Sequence, residues 1–230
     1  MSQKINPISN KLGILQIWNY NFQNYGKKLK NYTKFNQTQS FLFNYLKRLL
    51  NKHDLLVEDI YIIQTIHKTV IKLFIFDENK TSIKLKNYNS LKLISHWLDC
   101  PVILNFYKRN NLGNSAFLLS NYINYLFLQK VNTPKKILQV IYKILQEQTP
   151  KIKIIYTVNG IQIFKLKGFK IEISGCFESS RSQMAKTLKC NFGSVPLTTL
   201  KGYVDYSNST VFTKFGSCGF KIWLFYESDN

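Results

Sequence analysis

The acidic residues of this chain are so unevenly placed that they determine which segments can neutralise which. Residues 1–53 carry nine Lys and Arg and no acid, whereas 54–99 hold six acids and six lysines. Residues 100–146 carry six basic residues and again no acid, and the remainder adds +5 to a total of +20. An acid-free segment cannot close its own ion pairs, so its ammonium groups must meet acids from elsewhere or a polyanion. With 45% hydrophobic and 15% aromatic residues the chain can bury a core, so the charge belongs to a folded protein and not to a basic tail. Its 230 residues suffice for one large or two small domains. Nucleic acid and an anionic membrane surface are the two partners this charge fits; it disfavours an ordinary metabolic enzyme.

Lysine outnumbers arginine 29 to 3, there are 25 Ile and 23 Asn, and Ala116 and Ala185 are the only alanines. Lys, Asn, Ile, Phe and Tyr come from A/T-rich codons, a base-composition bias typical of organelle genomes. The opening Met1-Ser2-Gln3-Lys4-Ile5-Asn6-Pro7 has neither an apolar signal core nor an Arg/Ser-rich presequence. That fits a protein made in the compartment where it works. No apolar run approaches the roughly 18 residues of a membrane span, since Ala116–Leu128 is interrupted by Ser120, Asn121 and Asn124.

Residues 1–35 lack a clean period and read as an extended arm anchored by Trp18, Tyr20, Phe22 and Tyr25. Phe41, Leu42, Tyr45, Leu46, Leu49 and Leu50 recur at helical spacing and predict a helix from about 38 to 52. Leu55–Ile66 and Val70–Phe76 are β-branched and read as a hairpin turning near His67 and Lys68; Leu91–Leu98 reads as a helix and Val102–Tyr107 as a strand. Ser115–Gln129 predicts a helix, and Thr133-Pro134 caps a second whose apolar face is Ile137, Val140, Ile141, Ile144 and Leu145. Strands follow over 152–158, 161–166 and 169–173, then a loop or helix at 179–188, then strands over 197–206, 210–215 and 220–225. The fold class is α+β.

Catalytic chemistry finds little support. Glu58 and Asp59 are adjacent in a strand and point to opposite faces. No nucleophile elbow or phosphate loop occurs, and Asp205 reads better as a structurally paired carboxylate than as a base. Four cysteines and three histidines lack metal-ligand spacing, since His96 and Cys100 alone do not close a site, so no metal or cofactor is expected. Basic residues interleaved with aromatics and amides instead match RNA binding. Lys4, Lys11, Lys27, Lys28, Lys30 and Lys34 form the acid-free cluster best suited to it. A peripheral membrane-surface protein is the rival reading, but the helix after Thr133 carries only Lys135, Lys136 and Lys143.

Several blocks resemble the small-subunit ribosomal protein S3 family: Gln3–Ile8 with Lys11-Leu12-Gly13-Ile14 and Trp18, then Gly168–Gly175, Val195–Leu200, Asp205-Tyr206, Thr213–Gly216 and Gly219–Phe225. The resemblance implies a type II KH domain (helix, two strands, two helices, strand) and then a C-terminal α/β domain with a mostly antiparallel sheet. It divides the chain into an rRNA-binding arm at 1–36, a KH-like domain at 37–112 and a C-terminal domain at 113–230. The KH pattern is degenerate, because no glycine occurs between Gly26 and Gly113 and the GxxG loop would fall at Thr81–Asn89. Asn6, Arg181, Lys186, Lys189 and Lys214 join the rRNA-binding set by this resemblance. Lys135 and Lys136 match two basic residues lining the mRNA entry channel, with Gln139 standing at a third such position. The implied partners are small-subunit rRNA, mRNA and neighbouring small-subunit ribosomal proteins, without membrane insertion. The implied location is the mitochondrial matrix, with the gene in the organelle; a plastid is the alternative compartment.

Overall fold

The computed structural model describes residues 6–16, 18, 20–22, 29–52, 55–65, 68–76, 88–98, 100–129, 133–147, 152–157, 160–177, 184–213 and 215–228. They form two compact units, one of residues 19–110 and one joining the N-terminal 18 residues to 111–230. Among the described residues no helix is long and apolar enough to cross a membrane.

The first unit contains β1 (Tyr20–Phe22), α1 (Leu29–Lys52), β2 (Leu56–Gln64), β3 (Thr69–Phe76), α2 (Tyr88–Leu98) and β4 (Val102–Arg109). Its sheet runs β1-β2-β3-β4, with β2 and β3 an antiparallel hairpin and the outer pairs parallel. Leu42, Leu46 and Leu50 of α1 and Ile94 and Leu98 of α2 bury against Ile60, Ile62, Ile71, Leu73 and Ile75. Helix α1 begins nine residues before the expected 38. Asn31, Thr33 and Asn36 in that stretch are weak helix formers, but Phe35, 6% exposed, extends the apolar stripe of Leu42 by two turns. Trp18 is no anchor, being 63% exposed, while Tyr25 lies outside the described residues. Most of the expected GxxG position, Thr81–Asn89, also lies outside them, with Tyr88 and Asn89 already in α2.

The second unit contains α3 (Ala116–Leu128), α4 (Pro134–Glu147), β5 (Ile152–Thr157), β6 (Gly160–Gly175), β7 (Lys186–Phe192), β8 (Tyr203–Thr213) and β9 (Gly216–Ser228). The sheet order is β5-β6-β9-β8 with β7 also on β6, and every pairing is antiparallel. Strand β6 is one 16-residue strand rather than two, kinked by a bulge between Leu166 and Gly168. The bulge lies where its partner along one edge changes from β5 to β7. A Cβ at Gly168 would come within 2.5 Å of the Ser194 carbonyl, so the chain can cross there only without a side chain. Two expectations are corrected: Lys186–Leu188 opens a strand, because β6 offers it a free edge, and residues 197–202 precede β8 instead of belonging to it.

Candidate nucleic-acid interface

Helix α4 is built by its spacing. Ile137, Leu138, Ile141 and Leu145 are buried, and Tyr142 meets Phe169 of β6 edge-on at 5.7 Å. That packing fixes the opposite face outward, where Lys135, Lys136, Gln139 and Lys143 are exposed. The carbonyl of Thr133 accepts the first helical bond, from Ile137 N at 3.1 Å. No acid occupies the first turn. Two ammonium groups therefore stand at the positive end of the helix dipole, which costs the isolated helix a few tenths of a kcal/mol and suits an incoming anion.

Strand β7 presents Lys186 and Lys189 outward. Register places Lys189 opposite Glu172 of β6, and its ammonium lies 3.8 Å from that carboxylate. Glu172 also holds Lys170 at 2.9 Å. Partial burial would raise the Glu172 pKa, but Lys170, Lys189 and Lys221 more than offset that and hold it below the usual carboxylate range. Burial raises the pKa of the Tyr206 hydroxyl, with the Glu172 charge adding to it, so this phenol stays neutral.

The N-terminal segment is organised differently from the expected extended arm. Asn6 Oδ1 accepts from Ile8 N at 3.0 Å, and its carbonyl accepts from Ser9, which turns the chain. Lys11 is corrected from a polyanion contact to an interior tie, being 1% exposed. Its ammonium donates to the Gly202 carbonyl and lies 5.9 Å from the Phe225 ring centroid. Burial lowers its pKa to about 8. Gln16 Nε2 donates to the Val204 carbonyl at 2.7 Å, a second tie to the start of β8. Nothing in the local sequence marks Gln16, because its partner is 188 residues away. Lys34 is exposed on α1, and Lys30 lies in the first turn of that helix. Lys4, Lys27, Lys28, Arg181 and Lys214 lie outside the described residues.

Asp205 is structurally paired. Its Oδ2 accepts from Lys153 Nζ and from Ala116 N, each at 3.1 Å, joining β8 to the hairpin of β5 and to the start of α3. Burial would lower the Lys153 pKa, but Asp205 and the nearby Tyr203 and Tyr226 raise it well above the ordinary lysine value. Lys153 is thus a fixed cation and Asp205 is spent on it, not poised as a base. Among the described residues no three His, Cys, Asp or Glu side chains gather as metal ligands.

These features define a basic α+β protein in which Glu172 and Asp205 are paired within the fold and exposed lysines lie on α1, α4 and β7. Residues 140–224 match the family model described as "Ribosomal protein S3, C-terminal domain". The chain is 36% identical to small ribosomal subunit protein uS3m of Chondrus crispus, over 98% of this chain and 94% of that protein. It is 30% identical to uS3 of Parabacteroides distasonis over 97% of this chain and 82% of the relative. Identity to uS3c of Cyanidium caldarium is 25%, over 98% and 99%. The chain belongs to the ribosomal protein S3 family, whose members are structural and not enzymatic.

Proposed function

We propose that this chain is a structural component of a mitochondrial small ribosomal subunit, where it binds small-subunit rRNA and borders the mRNA entry channel. The observation that carries the channel assignment is the start of α4, where Lys135 and Lys136 are exposed in a first turn that contains no acid. Lys186 and Lys189 on β7, Lys34 on α1, and Lys4, Lys27, Lys28, Lys30, Arg181 and Lys214 make up the rRNA-facing set; Asn6 completes it. Residues 37–112 take the part of a KH-like domain without its glycine loop, and 113–230 that of the C-terminal domain. Neighbouring small-subunit proteins are its further partners. The full-length likeness to uS3m supports the mitochondrial compartment, while the uS3c relative keeps the plastid as the alternative.

With about eight phosphate contacts, log affinity for the cognate rRNA fragment falls with log salt at a slope of about −6 to −7. Between 50 and 200 mM salt that is about a 10⁴-fold loss, read by filter binding. A slope near zero would refute the electrostatic reading. Recovery of the chain only in free or membrane fractions, and never with small subunits in high salt, would refute the ribosomal one.

A further inference from the structure

In the first unit both helices pack on one face of the β1-β2-β3-β4 sheet, through Leu42, Leu46, Leu50, Ile94 and Leu98. The other face carries an aliphatic row, Ile63, Val70 and Ile103, at one end and polar and aromatic side chains beyond it. Register aligns Tyr61 with Lys72 and Lys72 with Asn105, and in the neighbouring row Phe74 with Tyr107. The rings run across three strands: Tyr61 meets Phe74 edge-on at 5.7 Å, and Phe74 lies nearly parallel to Tyr107 at 5.0 Å. Tyr107 is 43% exposed. Arg109 lays its guanidinium 4.7 Å from the Phe74 centroid, and its Nε donates to Glu58 Oε2 at 2.7 Å. Glu58 is itself buried, so this acid serves to fix the guanidinium and is not offered outward.

Resting on the RNA-binding reading above, we propose that this helix-free face binds single-stranded RNA by stacking unpaired bases on Tyr107 and Tyr61, with Lys72 and Arg109 taking the adjoining phosphates. Sheets that expose aromatic rings opposite their helices are a recurrent solution to base recognition, because every base has a π-face whatever its sequence. A chain that uses 29 lysines keeps one of its three arginines at the position where a planar, stacking cation differs from a point charge. The segment 54–99 has no net charge and no glycine, so neither a broad phosphate grip nor close backbone approach is open to it. Stacking is. Beyond the aliphatic row, the aromatic rings with an amide and two cations match the π-face, polar edge and phosphate of a nucleotide.

The test is fluorescence anisotropy of the full chain with a labelled U12 oligonucleotide at 0.5 M salt, where phosphate contacts are screened. Tyr107→Ala and Tyr107→Leu each lower affinity about tenfold and, by losing the ring contact with Phe74, lower the melting temperature by a few degrees, whereas Tyr107→Phe keeps the melting temperature and holds affinity within twofold. Wild-type affinity in Tyr107→Leu and Tyr61→Leu would overturn the proposal. If those variants bind U12 normally while the rRNA fragment still binds with a steep salt slope, the stacking face fails and the ribosomal reading stands. No binding to the rRNA fragment at low salt would remove both. In assembled small subunits, p-benzoylphenylalanine in place of Tyr107 forms an RNase-sensitive adduct. An RNase-resistant adduct would mean the face docks a protein, and would overturn the assignment.

Discussion

The two sheets are closed by different means. In the 19–110 unit the helix-facing core is aliphatic, with Leu42, Leu46, Ile60, Ile71 and Ile75 all at or below 3% exposure. In the other unit an aromatic and aliphatic core of Phe164, Phe169, Ile171, Phe220 and Ile222 is threaded by polar ties. Ser207 Oγ donates to Ser120 Oγ at 2.9 Å, Lys153 reaches Asp205, and Lys11 and Gln16 reach the carbonyls that begin β8. Burying apolar area stabilises without regard to exact geometry, whereas a buried polar group is stabilising only when its partner is in place. The 19–110 unit, itself +9, buries one acid, Glu58, against Arg109, whereas the second unit, +11, turns the ammonium groups of Lys11 and Lys153 inward. Net charge therefore overstates what this protein can offer a polyanion.

The largest expected effect is at Asp205. Asp205→Ala strands the Lys153 ammonium against Tyr203 and Tyr226, with ring centroids 5.3 and 5.4 Å away, and leaves Ala116 N unpaired. Removing one partner of a fully buried pair costs about 3–5 kcal/mol; this pair is part-buried, so the loss is expected at or below the lower end of that range, read as a lower urea midpoint at unchanged slope. Asp205→Asn, which keeps an acceptor but loses the charge, falls between. Wild-type stability for Asp205→Ala would erase the distinction between the two units.

How much of this was legible in the sequence follows from the range of the interactions. Helix α4 was legible because its periodicity is local, and the β2–β3 hairpin because its register is set over a few residues. The face a strand turns inward was not. In Ile152–Thr157 the alternation suggests burying isoleucine, yet Ile152, Ile154 and Tyr156 are 58%, 66% and 68% exposed while Lys153 points in. Asp205, 52 residues away, reverses the pattern by giving that lysine a partner. Lys11 was read as outward for the same reason: its acceptor is a backbone carbonyl 191 residues on, which no composition reveals. Exposed Lys135 and Lys136 were legible because their own helix fixes which way they point.

Lys11 gives an intermediate effect with a diagnostic pH dependence. Its pKa is about 8 in the folded chain against an ordinary 10.5. Between those values the unfolded chain binds a proton that the folded chain does not, so stability rises with pH across this window. Lys11→Met keeps the aliphatic packing, removes the rise, and leaves the Gly202 carbonyl unpaired at a cost of about 1–3 kcal/mol. Denaturation at pH 7.5 and pH 10 separates the two effects. A wild-type pH slope in Lys11→Met would return this lysine to the set available to RNA.

The smallest effect is expected at Glu172, where the ion pairs of the second unit are partly exposed. Its carboxylate is 20% exposed and meets Lys170 and Lys189, whose side chains are 33% and 57% exposed, so water screens the pairs. Because the folded pKa lies below the ordinary value, the contribution is present above the unfolded pKa and is lost as pH falls through the folded one. Exposed pairs contribute about 0.2–1 kcal/mol. Glu172→Gln therefore lowers stability by no more than that at pH 7, and the difference from wild type shrinks in acid and in 1 M salt. A loss as large as that of Asp205→Ala would mean that charge on the outer sheet face is as structural as charge within, and the contrast between buried and exposed lysines in this unit would fall.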